Sequence, residues 1–362
     1  MYRKTYVKID TSILQKNVKN IINKYNQYQY YIGIVKANAY GHGDYIINDI
    51  IKSGINYLAV SSLEEAISIR KYNKDISILV LEPISTDYIE DIINNNITIT
   101  IDSLEYAISL SNKKIKNKLK AHLKLDTGMN RIGFKIKEEV TKAISILKQN
   151  NSIYIEGIYT HIGTSGIDDT YYSKSIEKFE YLISDINIKE IPIIHINRSV
   201  TLANHQKLPY ETGVRLGIIM YGFNQNPSNN LELEPAFSLY SEVISIRKVN
   251  KGEYIGYNAN YIAAKDMIVA TIPIGYSDGM KQEMKTVSIN NKEYDIVGDI
   301  CMDMIMVSID NTVKLYDAVE IFGKNISILE MSTRTNSNPY RILTSISTRV
   351  PRLYSDHTEI KY

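Results

Sequence analysis

The most constraining feature of this chain is a regular alternation of short β-branched runs with helix-period segments. Strands are predicted at residues 30–35, 56–60, 76–81, 97–101, 121–125, 154–160 and 193–196, with a weak one ending near Arg215. Helices are predicted at 62–71, where Ser62-Leu-Glu-Glu65 opens like a capping box, and at 172–183. Eight strand-helix units in roughly 220 residues predict a (β/α)8 barrel. The alternative, a doubly wound sheet, usually carries a Gly-rich dinucleotide turn after its first strand, and the sequence has none there.

The pattern changes after about residue 230. Short strand-like runs follow at 237–249, 254–257, 267–274, 285–289, 293–297, 304–309 and 318–321, with turn signals at Asn290-Asn291 and Ser277-Asp278-Gly279. We therefore predict two domains, a barrel over residues 9–229 and an all-β domain over 230–362, which we expect the N-terminal strand 1–8 to join. The boundary falls in the polar stretch 224–230.

Composition excludes several classes of protein. Forty-two Lys and Arg against 40 Asp and Glu leave a net charge of +2, too even for a dedicated nucleic-acid or anionic-membrane surface. The N-terminus is charged and has no apolar core, and the longest apolar runs are strand-length, so we expect neither export nor a membrane span. The single cysteine, Cys301, excludes an internal disulfide and a thiol-rich zinc site. We expect a cytoplasmic protein without a metal.

The strongest chemical signal is Lys36, in the segment Val35-Lys36-Ala-Asn-Ala-Tyr40-Gly41-His42-Gly43. A lysine that follows a barrel strand lies at the C-terminal mouth, where barrel enzymes keep their sites. Partial desolvation there lowers its pKa and suits it to covalent catalysis or to proton abstraction. Position alone favours the simpler interpretation, a solvated loop lysine.

This segment closely resembles the cofactor-lysine motif of the alanine racemases, which are pyridoxal-phosphate enzymes built from a barrel and a C-terminal β domain. The resemblance covers essentially the whole chain and extends to further segments in the family's order: 7–10 with Asn17-Val18, 123–133, 215–222, 255–257, 272–279 and 298–303. It implies an amino-acid racemase that binds pyridoxal 5′-phosphate, with alanine as the default substrate.

Racemisation removes an α-proton and returns one to the opposite face, for which two facing bases are the simple solution. The resemblance implies that Lys36 is the cofactor-linked lysine and the base on the D face, and that Tyr257 is the base on the L face. In the family this tyrosine comes from the partner subunit, which implies a homodimer with composite sites. A free tyrosine has a pKa of about 10. It therefore needs a neighbour, and His161 and Arg215 are the candidates.

The resemblance also implies the remaining contacts. Arg215 faces the pyridine nitrogen, and because a guanidinium stays protonated, the ring nitrogen stays unprotonated and the cofactor is a weaker electron sink. Further cofactor contacts are implied for His161, which stacks on the ring, and for the phosphate-binding Tyr40, Ser199, Gly217 and Ile218. On the substrate side the implied residues are Arg131, Met302 and Tyr276. Lys124 lies where many relatives carry a carbamylated lysine. We interpret His122, His205 and His357 as structural.

Two positions depart from the family pattern. Arg198 replaces an amide in His195-Ile-Asn197-Arg198-Ser199, where it either adds a phosphate contact or points outward. Thr348, in Ile346-Ser-Thr348-Arg-Val-Pro-Arg352, replaces a tyrosine that in the family donates to the phosphate and walls the substrate pocket. A pocket discriminates by only about 1–3 kcal/mol per methylene. Thr348 therefore motivates the alternative of a serine or broad-specificity racemase.

Two other classes share the cofactor. The related basic amino-acid decarboxylases use a cysteine from the second domain, comparable with Cys301, but they usually place a carboxylate opposite the pyridine nitrogen. Arg215 and Tyr257 therefore favour racemisation. Non-catalytic pyridoxal-phosphate carriers lack the β domain that supplies Tyr257. The sequence leaves the pathway open between wall synthesis, which uses D-alanine, and catabolism.

Overall fold

The structure is a computed structural model, which describes residues 2–164, 166, 169–355 and 359–360. His357 lies outside these residues. The chain divides into two compact units. One comprises Met1–Ile13, Tyr40–Gly43 and Pro235–Tyr362, and the other comprises Leu14–Ala39 and Asp44–Glu234. Among the described residues, no helix combines the length and the apolar character needed to cross a membrane.

The strands, in chain order, are β1 (Tyr6–Ile9), β2 (Tyr30–Ile34), β3 (Tyr57–Val60), β4 (Ile78–Val80), β5 (Ile97–Ile101), β6 (Leu119–Lys124), β7 (Ile153–Tyr159), β8 (Ile193–Arg198), β9 (Gly213–Leu216), β10 (Phe237–Glu242), β11 (Ser245–Val249), β12 (Tyr254–Ile255), β13 (Tyr261–Ile262), β14 (Met267–Ile272), β15 (Thr286–Ile289), β16 (Lys292–Asp295), β17 (Ile305–Ile309), β18 (Ala318–Phe322), β19 (Arg352–Tyr354) and β20 (Glu359–Ile360). The helices are Thr11–Lys24, Ile47–Lys52, Leu63–Arg70, Ile89–Asn94, Leu104–Ser111, Lys137–Lys148, Asp169–Ile183, Ser199–Asn204, Ile328–Arg334 and Pro339–Ser345, and Lys36–Tyr40 forms a separate left-handed turn.

The unit that comprises Leu14–Ala39 and Asp44–Glu234 is called the barrel unit below. It contains a closed barrel of eight parallel strands, β2 to β9 in sequence order. This confirms the predicted (β/α)8 fold, and the predicted strands overlap the observed ones with ends displaced by one or two residues. The helix predicted at 62–71 forms over Leu63–Arg70, because the Ser62 side chain caps it by accepting a hydrogen bond from the Glu65 N–H. Consecutive strands run in parallel, so their C-terminal ends share one rim of the barrel.

The other unit, called the β-rich unit below, is built on β-sheets, as predicted, and its strand pairs are antiparallel except for β1 and β19, which run parallel. Seven strands form one sheet in the order β16-β15-β18-β10-β1-β19-β20, three form β11-β14-β17, and two form β12-β13. Asn290 and Asn291 both adopt positive φ in the turn between β15 and β16, as a two-residue type I′ hairpin requires. The predicted run 237–249 divides into β10 and β11, because Val243 bonds to Asp317 and Ile244 to Thr271, so the chain changes sheets there.

The helices Ile328–Arg334 and Pro339–Ser345 were not predicted. Each had a sequence signal. The side chains of Ser327 and Asn338 cap their first turns, and Pro339 occupies the first helical position, where its missing N–H costs nothing. These helices accompany the sheets without changing the β architecture of the unit.

Arg352 is a buried charge in this unit, and we expect its removal to destabilise the fold. Its guanidinium donates to the carbonyls of Gly41, Ile346, Ser347 and Val350 over 2.6–3.0 Å. Arg352→Met leaves these acceptors unpaired, so we expect a loss of about 3 kcal/mol in the free energy of unfolding, measured by urea denaturation. Arg341→Met is an exposed control with an expected change below about 0.5 kcal/mol. Equal effects of the two variants contradict this role.

Candidate active site

Several predicted site residues lie at the C-terminal rim of the barrel. Lys36 follows β2, His161 follows β7, Ser199 follows β8 and Gly217 follows β9, while Arg215 is the penultimate residue of β9. In a (β/α)8 barrel this rim carries the reactive groups. The structure thus brings these five predicted residues to one end of the barrel unit.

The backbone around Lys36 is strained. Ala37, Asn38, Ala39 and Tyr40 all adopt left-handed φ between 50° and 53°, a conformation that side chains rarely take. Glu65 supports the start of this turn, because its carboxylate accepts hydrogen bonds from the Ala37 N–H at 2.7 Å and from the Ser61 N–H at 2.8 Å. Because Glu65 holds the backbone in this disfavoured conformation, the direction in which the chain leaves β2 is fixed.

The surroundings of the half-buried Lys36 amine favour its neutral form. Burial lowers its pKa, the positive charge of Arg131 adds to this effect, and Glu65 opposes it. An amine with a lowered pKa is unprotonated more often at neutral pH, and only that form is a nucleophile or a base.

Arg215 is buried, and the protein fixes its guanidinium through both terminal nitrogens. Nη1 donates to Nδ1 of His195 at 2.8 Å and to its carbonyl at 2.6 Å, and Nη2 donates to the carbonyls of Thr160 and Ile196 at 2.7 and 2.8 Å. No acceptor within the described residues pairs with Nε, so this donor remains available to a ligand. Burial lowers the pKa of Arg215 to about 10, which leaves it charged at neutral pH.

The predicted phosphate-binding groups of the barrel unit meet at the start of the turn after β9. The Gly217 N–H donates to Oγ of Ser199 at 2.9 Å, so the hydroxyl proton of Ser199 is directed to another acceptor. The next N–H, that of Ile218, donates to no backbone carbonyl in the described part of the chain. A hydroxyl and a free backbone N–H side by side suit an anion. Tyr40 lies in the other unit, buried, with its ring 5.8 Å from that of Tyr340.

Arg198 resolves one question that the sequence left open. Its Nε donates to the carbonyl of Ile162 at 3.0 Å and its Nη2 to that of Thr164 at 2.6 Å. It therefore ties the segment after β7, which carries His161, to the end of β8, and the alternative of an outward-pointing side chain is wrong. Burial, followed by the charges of Arg215 and Arg198, holds the pKa of His161 well below its usual range, so this imidazole is neutral.

Lys124 is the last residue of β6, and Arg131 lies in the loop that follows this strand. Lys124 is buried, its Nζ donates to the carbonyl of Leu125 at 2.6 Å, and burial together with the charge of Arg215 lowers its pKa to about 7. Arg131 is exposed, on a loop that Asp126 shapes by accepting hydrogen bonds from the N–H groups of Gly128 and Asn130. The loop leaves the Arg131 guanidinium accessible to a small anion.

Three of the predicted site residues of the β-rich unit are aromatic or apolar, yet they are exposed. Tyr257, Tyr276 and Met302 are 64, 50 and 54% exposed. The last two adjoin, since Tyr276 donates its N–H to the carbonyl of Cys301 and Ser277 donates its hydroxyl to that of Met302. Burial raises the pKa of Cys301, which disfavours the reactive thiolate form.

Polar residues that the sequence motifs did not indicate lie beneath this rim. His195 contacts Arg215, Tyr159 stacks on His195 with ring centroids 4.6 Å apart, and Glu156 accepts a hydrogen bond from His122. A signal for His122 was present, because it lies two residues before Lys124 on a predicted strand and so shares a face with it. Taken without its same-face neighbour, His122 is interpreted as structural.

Comparison with known proteins identifies the family. The family models of the alanine racemase N-terminal domain and C-terminal domain match residues 9–225 and 236–354. The chain is 33% identical to alanine racemase 1 of Bacillus subtilis, over 99% of this chain and 95% of that protein. It is 34% identical to the alanine racemase of Methanococcus maripaludis, over 96% of this chain and 98% of that protein.

Solved structures agree. The alanine racemase of Bacillus anthracis with bound L-Ala-P superposes with a TM-score of 0.92 at 29% identity, covering 100% of this chain and 98% of that one. The histidine racemase of Leuconostoc mesenteroides subsp. sake superposes with a TM-score of 0.88 at 26% identity, covering 98% of both chains. Sequence and structure together assign this chain to the alanine racemase family.

Proposed function

We propose that this protein is a pyridoxal-phosphate-dependent racemase that interconverts L-alanine and D-alanine. The observation that carries the proposal is Arg215, whose terminal nitrogens are held by the protein while Nε–H remains for a ligand. The residues fit the cofactor, with the Arg215 donor for a ring nitrogen and the Ser199 hydroxyl and Ile218 N–H for a phosphate. When bound, pyridoxal phosphate withdraws electrons from the amino acid and makes its α-proton removable.

The chain's own residues then divide the proton transfers. Lys36 holds the cofactor and takes or returns the proton on one face, and Tyr257 does so on the other. Arg131 binds the substrate carboxylate with the Met302 N–H, and Tyr276 lines the entrance. Tyr257, Tyr276 and Met302 are exposed on their own chain, which supports a homodimer in which a second copy of the chain receives them. We also propose a cytoplasmic location, consistent with a single cysteine.

A substrate panel tests the proposal. Purified protein with added pyridoxal phosphate is assayed for racemisation of L-alanine, L-serine and L-lysine by chiral chromatography, with inactivated protein as the blank. We expect the highest kcat/KM for alanine. If no amino acid is racemised, the proposal is wrong.

A serine or broad-specificity racemase is the second candidate, because Thr348 replaces an aromatic wall. The segment around Thr348 is fixed, since Arg349 pairs with Asp278 at 3.2 Å and Arg352 donates to the carbonyl of Gly41 at 3.0 Å. Thr348 itself is exposed. The histidine racemase relative shows that this fold accepts a side chain much larger than a methyl group in another protein.

Thr348→Tyr is expected to narrow specificity by filling the space beside the substrate side chain. We expect the ratio of kcat/KM for alanine to kcat/KM for serine to rise about tenfold. This is the selectivity that a pocket gains when it excludes a group about the size of one methylene. Thr333→Tyr, at another exposed threonine, is the control and leaves the ratio unchanged. An unchanged ratio in Thr348→Tyr removes this position from the substrate pocket.

We expect Lys124 to react with CO2 in the folded protein. With a pKa of about 7, roughly half of this amine is neutral at neutral pH, and only the neutral amine adds to CO2, with loss of one proton. Protein in ¹³C-bicarbonate should show a carbamate ¹³C signal that Lys124→Met lacks and that the exposed-site control Lys74→Met retains. A signal that persists in Lys124→Met contradicts this expectation.

A further inference from the structure

A column of hydrogen-bonded polar side chains runs through the interior of the barrel. His195 on β8 and His122 on β6 are completely buried, and Glu156 on β7 is 8% exposed. Branched apolar side chains usually fill this space in (β/α)8 barrels. The column starts at Arg215, whose Nη1 donates to His195, and continues from His195 to His122 and on to Glu156.

The chemistry of arginine fixes the direction of every bond in this column. A guanidinium can only donate, so Nδ1 of His195 must accept and carries no proton. His195 then bears its proton on Nε2, which donates to Nδ1 of His122 at 2.9 Å. His122 in turn bears its proton on Nε2, which faces Oε2 of Glu156 at 3.4 Å. The Arg215 donor at one end of the column therefore determines the tautomers of both His195 and His122.

A second proton fits on neither histidine. Protonation of His195 at Nδ1 would place it against Arg215, and protonation of His122 at Nδ1 would place it against the Nε2–H of His195. The charged groups that face the pair are Arg215 and Lys124 near His195, and Lys120 and Glu156 near His122. Burial lowers the pKa of both histidines, and Arg215 lowers that of His195 further.

Glu156 is a fixed acceptor at the far end. The Tyr57 hydroxyl donates to its Oε2 at 2.7 Å, and Nζ of Lys120 pairs with its Oε1 at 2.9 Å. Burial opposes its ionisation, but the hydrogen bonds from His122, Tyr57 and Lys120 outweigh this and lower its pKa. The carboxylate is therefore charged at neutral pH and always accepts.

We propose that His122 and Glu156 are positioning residues that hold Arg215 in place through a one-directional hydrogen-bond chain, with both histidines locked as neutral Nε2–H tautomers. The proposal rests on the proposed function in that Arg215 is taken to face the cofactor. Without an acceptor at position 122, the Nε2–H of His195 is left buried and unpaired, and moving that proton to Nδ1 would set it against the Nη1 donor of Arg215. The guanidinium then loses one of its four fixed contacts and is placed less accurately.

Two substitutions at His122 separate this role from simple packing. His122→Gln keeps one acceptor and one donor, so the chain from His195 to Glu156 is retained. His122→Leu keeps the volume and removes both. We expect His122→Leu to lower kcat/KM for alanine about 10- to 100-fold and to weaken pyridoxal-phosphate binding, measured by fluorescence titration, whereas His122→Gln stays within about threefold of the wild type.

Tyr57→Phe is the matched control. It removes another buried hydrogen bond to the same carboxylate without interrupting the chain, so it lowers stability while kcat/KM and cofactor affinity stay near wild type. If Tyr57→Phe impairs kcat/KM as much as His122→Leu, or if Gln and Leu at position 122 are equally impaired, the column is only structural and the proposal is overturned.

The tautomers themselves are measured by ¹⁵N NMR of the wild-type protein labelled at histidine, with the two resonances assigned from His122→Gln and His195→Gln. Both rings are expected as neutral Nε2–H tautomers that do not titrate between about pH 6 and 9. A titrating ring, or a proton on Nδ1 of either, overturns the proposal even in an active racemase. Locked tautomers in a protein that racemises no amino acid overturn the proposed function instead, and they leave the column intact.

Discussion

Replacing Lys36 with alanine is expected to abolish racemisation and to remove the visible absorbance of bound pyridoxal phosphate. Burial and the charge of Arg131 lower the pKa of Lys36, which lies at the start of a strained turn that Glu65 holds. Without it the protein has neither a covalent hold on the cofactor nor a base on that face. We expect kcat to fall by about 10³-fold or more.

The matched control is Lys74→Ala, which removes an exposed lysine. The wild type, Lys36→Ala and Lys74→Ala are loaded with cofactor and compared by their absorbance spectra and by their initial rates of D-alanine formation. If Lys36→Ala retains both the absorbance band and the rate while the circular dichroism spectrum is native, Lys36 is not the cofactor lysine.

Tyr257→Phe is expected to lower the racemisation rate by about 10²- to 10⁴-fold while leaving cofactor binding intact, because only the base on one face is lost. Lys36 remains, so D-alanine should still exchange its α-proton with solvent without becoming L-alanine. Chiral chromatography and ¹H NMR in D2O measure the two processes separately. Tyr254→Phe, at an equally exposed tyrosine three residues away, is the control. Undiminished racemisation by Tyr257→Phe would revive the interpretation as a non-catalytic carrier.

A mixing experiment tests whether Tyr257 serves a second copy of the chain. In a heterodimer of Lys36→Ala and Tyr257→Phe subunits, one of the two composite sites contains both wild-type residues. Random re-association of the two inactive variants should therefore restore about a quarter of the wild-type activity. If each site is complete within one chain, mixing restores nothing.

The barrel was predictable because its signal is local. Each strand is a short β-branched run, and the Ser62 cap marks a helix start in the sequence alone. The reactive lysine could also be placed, since a residue after a barrel strand must lie at the C-terminal rim. The change of sheet at Val243 and Ile244 could not, because it depends on Asp317 and Thr271, partners distant in sequence.

The surroundings of the site could not be predicted from the sequence either, because they also depend on contacts between residues that are distant in sequence. Arg198 differs from the family amide, and only the carbonyls of Ile162 and Thr164 show that it holds the segment of His161. The hydrogen bond of His122 to His195 could not be predicted for a similar reason. A buried histidine on a strand is usually only structural, and its link to Arg215 passes through His195 on a strand 73 residues later.

The proposed chemistry is tested most directly by racemisation in D2O. L-Alanine is incubated with the cofactor-loaded protein, and the D-alanine formed in the first turnovers is isolated and its α-position is examined by ¹H NMR and mass spectrometry. Two bases on opposite faces, the second of which delivers a solvent-derived hydrogen, predict that the product carries α-deuterium from the first turnovers. D-Alanine that keeps the original α-proton would show one base serving both faces, and no D-alanine would contradict the assignment as a racemase.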